Sequence, residues 1–212
     1  MRVLLASDVH GAEGKLKSML DKEGADVIVL AGDLSNGSMH QVRSVLRACR
    51  EREAPVLFVP GNMDPPDLLR VETLEGCENL HLRRIEVLGF TFGGVGGGNI
   101  SPFGTPIELG EEELWEGLSE LSEVDVLVVH APPYRTKLDV IRSGVHVGSK
   151  SIRRFIEEEQ PLLCVCGHIH ESPSVDRIGK TVVVNAGPLV WGRYAIIEVA
   201  DQEVRPMLKK LG

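Results

Sequence analysis

The sequence predicts an α/β domain built on two sheets. Three observations point there. In the first third of its 212 residues, strand-length apolar runs alternate with helix-patterned segments. The same alternation returns between residues 111 and 165. From residue 174 onward the chain reads almost entirely as strands. Strands spaced by helices imply parallel pairing with right-handed crossovers. The late strands add an antiparallel part.

The elements follow in order. Val3 to Ala6 is a buried strand and Gly14 to Leu20 a helix. Val27 to Leu30 is the second strand. Ser38 is the N-cap of a helix running to about Arg52, because its hydroxyl can accept from the first free N–H groups. Val56 to Val59 is the third strand. Asp64-Pro65-Pro66 reads as a helix start, with Asp64 at N-cap and Pro65 at N1. Ile85 to Phe92 reads as a hairpin turning near Gly89. The tract from Gly93 to Asn99 is too rich in glycine for regular structure and is expected to be a loop. Glu111 to Leu121 and Ser149 to Glu158 are helices, and Val126 to Val129 and Leu162 to Val165 are strands. The closing strands are Ser174 to Ile178, Thr181 to Val184, Tyr194 to Val199 and Val204 to Leu208. No stretch reads as a linker, so residues 1–212 are expected to form a single domain.

Composition narrows the class. Hydrophobic residues make up 42% and charged residues 25%, which excludes a disordered, collagen-like or coiled-coil chain. The net charge of −8 disfavours non-specific binding to nucleic acid or to anionic membranes. No apolar run approaches the roughly 18 residues of a membrane helix, and the first apolar run is cut short by Asp8, so a cytoplasmic location is expected. Of the four cysteines, Cys164 and Cys166 share one face of a strand, and no C-x-x-C pair is present for a thiolate metal site. They read as small buried hydrophobes.

The chemistry follows the strands. Asp8-Val9-His10 comes after the first, Gly32-Asp33 after the second, and Gly61-Asn62-Met63-Asp64 after the third. His130 follows Val126 to Val129, and Gly167-His168-Ile169-His170 follows Leu162 to Val165. In open α/β sheets the C-terminal strand edge is where ligands bind. Each piece alone is weak, since Gly-Asp and Asn are common in turns. Together, Asp8, His10, Asp33, Asn62, His130, His168 and His170 offer seven oxygen and nitrogen donors. That set suits Mn²⁺, Fe, Zn²⁺ or Ni²⁺, and seven ligands suit two ions that share a carboxylate. Gly32, Gly61 and Gly167 fit places where backbone must approach closely.

The set Asp8-x-His10, Gly32-Asp33, Gly61-Asn62-x-Asp64, His130 and Gly167-His168-x-His170 resembles the calcineurin-like metallophosphoesterase superfamily. The stretches Gly98 to Pro106 and His130 to Tyr134 resemble its small Icc-related branch. The resemblance implies a four-layer α-β-β-α sandwich of two mixed sheets flanked by helices. It implies two divalent ions, manganese foremost, with Asp8, His10, Asp33 and His170 on one. Asp33, Asn62, His130 and His168 would hold the other, Asp33 bridging. It further implies in-line hydrolysis of a small phosphate ester by a metal-bridging hydroxide. One position departs from the pattern. Met63 stands where the family carries a histidine credited with assisting the leaving oxygen, and a thioether cannot give up a proton. Because some relatives lacking that histidine cleave phosphodiesters, a diesterase is expected over a monoesterase.

His146 precedes a helix N-terminus and is a candidate for the missing acid. Tyr134 and Arg135, next to His130, and the loop from Asn99 to Phe103 are candidate substrate contacts. A non-catalytic scaffold on the same fold and a metal-dependent nuclease are the alternatives, and a homo-oligomer is left open.

Overall fold

The computed structural model describes residues 1–200 and 203–212. Its first half runs β1 (Arg2–Ala6), α1 (Glu13–Lys22), β2 (Val27–Ala31), α2 (Met39–Arg50) and β3 (Val56–Val59). A 3₁₀ turn over Pro66–Arg70 leads to β4 (Thr73–Leu74) and β5 (Cys77–Asn79). Next come β6 (Arg83–Val87), β7 (Phe90–Val95), β8 (Gly98–Asn99), β9 (Glu108–Leu109) and α3 (Glu111–Ser119). The second half holds β10 (Val126–Val129), α4 (Lys150–Glu159), β11 (Leu163–Cys166), β12 (Ser174–Ile178) and β13 (Thr181–Asn185). It closes on β14 (Arg193–Ala200) and β15 (Glu203–Lys210). Among the described residues no helix is long and apolar enough to cross a membrane.

Two large mixed sheets result. One has the order β15-β14-β1-β2-β3-β5-β4, the other β12-β13-β11-β10-β7-β6. In the first, β1, β2, β3 and β5 are parallel, with Val3 beside Val27 and Ile28 beside Val56. In the second, β7, β10, β11 and β13 are parallel, with Val126 beside Leu163. The two-residue period of each strand then divides its side chains between two layers. Val3, Leu5, Val27 and Val29 face Val126, Val128, Leu163 and Val165 in the space between the sheets. Leu4, Ala6, Ile28 and Leu30 face α1 and α2. Leu127, Val129, Cys164 and Cys166 face α3 and α4. This is the expected α-β-β-α sandwich, and each fully buried Leu or Val in it is worth about 1.5–3 kcal/mol over its exposed state. All four cysteines are free and buried, with Cys164 and Cys166 on the helix side.

Several local readings hold. Ser38 accepts from Gln41 N–H and caps its helix as expected, while Ser149, read as the first helical residue, is the N-cap of α4 and accepts from Ile152 N–H. Leu88 and Gly89 both have positive φ (55° and 79°), which is the two-residue hairpin turn between β6 and β7.

Two readings are corrected. The glycine tract is not a loop throughout, since Gly93 and Gly94 lie inside β7. A Cβ at Gly94 would sit 2.5 Å from Val128 O and 2.8 Å from Val59 Cγ1. Glycine is there because strand and opposing sheet come too close for a side chain. Asp64 is not a helix cap either. Pro65 precedes the 3₁₀ turn, and the Asp64 carboxylate instead accepts from Leu34 N (3.1 Å), Ser35 N (2.8 Å), Ser35 Oγ (3.0 Å) and Gly61 N (2.9 Å). It ties the loop after β2 to the loop after β3.

His81, at the entry to β6, accepts at Nδ1 from Gly96 N–H at 3.0 Å. Burial pushes its pKa down from 6.5 to about 4. The unfolded chain therefore takes up a proton at a pH where the folded chain does not. This contribution to stability is full above 6.5 and is lost as pH falls toward 4. Urea midpoints measured from pH 7 to pH 4 are expected to drop less steeply for His81→Gln than for the parent chain. Identical slopes would remove His81 as a cause.

Candidate metal centre

Five parallel strands deliver the candidate ligands to one edge. Asp8 follows β1, Asp33 follows β2, Asn62 follows β3, His130 follows β10, and His168 and His170 follow β11. The loops after β1 and β2 run side by side, through Asp8 N–H to Gly32 O (3.0 Å), His10 N–H to Asp33 O (2.9 Å) and Gly11 N–H to Leu34 O (2.9 Å). Within the other sheet, Gly167 N–H donates to His130 O at 3.0 Å. Asp8, His10, Asp33 and His168 all have positive φ, at 53°, 47°, 51° and 67°. Such conformations cost of order 1–3 kcal/mol each and cluster where function demands them.

Glycines make the approach of the two sheets feasible. A Cβ on Gly32 would fall 2.3 Å from His130 Nδ1, and one on Gly167 would fall 2.5 Å from Asp8 Oδ2. Any side chain at either position would displace a ligand. Gly61 is packed on Asp33 in the same way.

The donors converge in two groups. Ligand atoms of Asp8, His10 and His170 lie within 4.8 Å of one another, as do those of Asp8, Asp33 and His130. Asp8 belongs to both groups, and Asp33 Oδ2 stands 3.7 Å from His10 Nε2 and 3.5 Å from His130 Nε2, within reach of a histidine of each. His170 Nε2 is 3.1 Å from Asp8 Oδ1. Asn62 Oδ1 is 2.9 Å from His130 Nε2. The His168 ring packs edge-on against His130 with centroids 5.0 Å apart. Five of the seven expected donors therefore converge in these groups, Asn62 joins them through His130, and His168 lies beside them against the His130 ring.

Two further contacts fix which nitrogen faces inward. His130 Nδ1 is 2.8 Å from Ala31 O, and His10 Nδ1 is 2.8 Å from Asn36 Oδ1. In the neutral ring that metal ligation requires, a carbonyl on Nδ1 holds the proton there and leaves Nε2 as a lone-pair donor. The set is oxygen and imidazole nitrogen without thiolate, which fits borderline divalent ions.

Charge is concentrated here. Asp8 and Asp33 are 1% and 3% exposed. Burial works against ionised Asp8, but the His170 hydrogen bond and the nearby His130 hold its carboxyl well below the usual range. Burial likewise works against His130⁺, yet Asp33 and Asp8 hold its pKa up at about 9. Burial dominates at His168, which falls to about 4. Asp64, beside the site, is pushed up to about 6 by burial and by the Asp33 charge, against the pull of three backbone N–H groups.

A cavity of about 820 Å³ opens onto His168 and His170. Asn99 and Phe103, two candidate substrate contacts, line it. Asn99 Nδ2 also donates to Val147 O at 3.0 Å, joining two of its walls. Tyr134, Arg135 and His146 lie elsewhere and do not line it. The Tyr134 ring packs against His146 and carries Arg135 and Lys150 over its face. His146 Nδ1 is 2.7 Å from the buried Asp139 carboxylate.

The sequence reading did not find Asn36 or assign a role to Asn185. Asn185 Nδ2 donates to Ile169 O (3.0 Å) and Gly167 O (3.3 Å), which fixes the loop carrying His168 and His170. An Asn at a strand end before Ala-Gly-Pro is the only local signal, and it is that of an ordinary turn.

Comparisons with known proteins agree with this geometry. Residues 1–172 match the calcineurin-like phosphoesterase family. The chain is 38% identical over 206 residues to Uncharacterized protein MJ1162 of Methanocaldococcus jannaschii, covering 92% of this chain and 91% of that one. Its fold is similar to that of TT1561 of Thermus thermophilus, with TM-score 0.75, 21% identity and 97% of each chain covered. It is also similar to phosphopantetheinyl hydrolase from Mycobacterium tuberculosis, with TM-score 0.64, 16% identity, 87% of this chain and 88% of that one. The match over residues 1–172 ends just past His170, so it spans every donor gathered at this strand edge, and the chain belongs to the calcineurin-like phosphoesterases, metal-dependent hydrolases of phosphate esters.

Proposed function

We propose that this chain is a phosphodiesterase working with two divalent transition-metal ions, manganese foremost. The supporting observation is the shared position of Asp33, whose Oδ2 lies 3.7 Å from His10 and 3.5 Å from His130. Asp8, His10, Asp33 and His170 would hold one ion; Asp33, Asn62, His130 and His168 would hold the other. Bound there, the ions would supply Lewis-acid polarisation of the phosphoryl group and a water acidified toward neutral pH.

The chain's own residues do the rest. Ala31 O and Asn36 orient His130 and His10 so that each offers Nε2. Asp64 and Asn185 lock the loops that carry Asp33, Asn62, His168 and His170. Met63 N–H donates to Asp33 Oδ1 at 2.8 Å, which aims that carboxylate, but the Met63 side chain has no proton for a leaving oxygen. Poor leaving groups therefore suffer most. The cavity beside His168 and His170 leaves room for the second ester arm of a diester. The expected substrate is a small phosphate ester, not a nucleic acid, in keeping with the net charge of −8.

Elemental analysis of chelator-free protein is expected to give about two transition ions per chain. Bis-p-nitrophenyl phosphate should be turned over faster than p-nitrophenyl phosphate, and stripping the metal should abolish both activities. No ion and no turnover after Mn²⁺ addition would sink the hydrolase reading.

Asp33→Asn removes the shared charge. Bound metal should fall below two ions, with turnover down at least about 100-fold. Retention of both ions would contradict the bridging position.

Met63→His restores a proton donor, and such donors are typically worth about 10²–10⁴-fold. It should raise turnover of monoesters with poor leaving groups at least about tenfold more than that of activated diesters. Equal changes on both would count against the role given to this position.

A further inference from the structure

We propose that the cavity in front of the metal centre binds a bulky apolar ester arm, so that the substrate is a phosphodiester carrying one large hydrophobic group. The inference rests on the phosphodiesterase reading and adds the class of substrate to it.

The cavity measures about 820 Å³, within the range of sites that enclose a drug-sized ligand and far more than a phosphate group fills. Three of its wall residues are large hydrophobic side chains held in water: Ile100 is 69% exposed, Phe103 83% and Trp191 51%. Exposed apolar side chains gathered around one cavity mark a place that something apolar covers. Trp191 packs edge-on against the ligand His170 with ring centroids 5.2 Å apart, so the apolar wall begins where the metal centre ends. A phosphoryl group at the donors would place its ester arm directly along that wall.

The charges of the wall argue in the same direction. Among the described residues that line it, the two ligand histidines aside, Arg142 and Glu171 are the only charged side-chain types, one of each sign, and their charges offset each other. Such a wall has no excess positive charge to hold a polyphosphate or a nucleic-acid strand. It favours burial of apolar surface, which is worth tenfold or more in affinity for a group of phenyl size, at roughly 25 cal/mol per Å².

Phosphonates with a single arm test this without needing turnover. Titration calorimetry of the Mn²⁺-loaded protein would compare methylphosphonate, phenylphosphonate and octylphosphonate. The phenyl and octyl compounds are expected to bind at least about tenfold more tightly than the methyl compound. That ratio should shrink several-fold in Phe103→Ala, a side chain too exposed to support the core, and further in Trp191→Ala. Equal affinities for the three phosphonates would overturn the proposal. So would an undiminished ratio in both variants with their metal content intact. Bis-p-nitrophenyl phosphate, assayed on the same preparations, keeps the two readings apart. Turnover with no arm preference would sink the cavity assignment alone. Arm-dependent binding without any turnover would sink the hydrolase reading alone.

Discussion

Two carboxylates, Asp8 and Asp33, are buried side by side where the two sheets meet, and the rest of the site follows from the need to compensate them. Taking an ion out of water costs several kcal/mol even after relaxation, and an uncompensated buried charge is not tolerated. Asp8 meets His170 at 3.1 Å, and Asp33 lies 3.5–3.7 Å from His130 and His10. The His130 pKa of about 9 expresses the same pairing, since without metal a proton on the imidazole supplies the positive charge. Divalent ions at these donors would replace that proton, because metal ligation requires neutral imidazole. A further buried carboxylate beside these two solves the problem differently. Among the described residues Asp64 has no ion-pair partner, and it takes four hydrogen bonds instead. Its pKa nevertheless rises to about 6, since the neighbouring Asp33 charge adds to the cost of burial.

The sandwich is what makes such a concentration of charge feasible. Its two sheets have parallel strands at their centres, so β1, β2, β3, β10 and β11 all end at one edge. Val, Leu and Ile side chains fill the space between the sheets and fix their separation. That separation brings the His130 ring against Gly32 and the Asp8 carboxylate against Gly167, contacts that any Cβ would break. The positive φ at Asp8, His10, Asp33 and His168 is the conformational cost of turning the chain sharply enough to present each donor. Core packing and backbone strain are thus coupled. The apolar layer is rigid, and the loops bend to suit it.

Much of this was legible in the sequence because its determinants are local. A run such as Val126 to Val129 is a strand on its own composition, and each donor lies within about four residues of the end of such a strand. Seven such donors needed no long-range information. The features that escaped depend on what lies across the fold. Gly93 and Gly94 read as loop, because nothing nearby in sequence reveals the Val59 and Val128 atoms that exclude a side chain. Asp64 read as a cap, because Asp-Pro-Pro is a good helix start, while its real partners Leu34 and Ser35 lie about 30 residues away. Asn36 and Asn185 act through side-chain bonds to His10 and to the loop at Gly167 and Ile169, and an isolated asparagine carries no signal of that kind.

The surface and the site divide recognition between them. With a net charge of −8, the chain as a whole repels anions, so long-range steering does not bring a phosphate ester in. Attraction must come at short range, from divalent ions set in donors that are themselves mostly buried. The wall beside those donors contributes one Arg and one Glu, which leaves no field to grip a second anionic group. What it does offer is apolar surface at Ile100, Phe103 and Trp191, whose attraction does not depend on charge or on ionic strength. In this reading the metal centre selects the phosphoryl group and the cavity selects the arm attached to it. The Met63 side chain assists neither, which on the proposed function would leave the rate governed by how readily that ester oxygen departs.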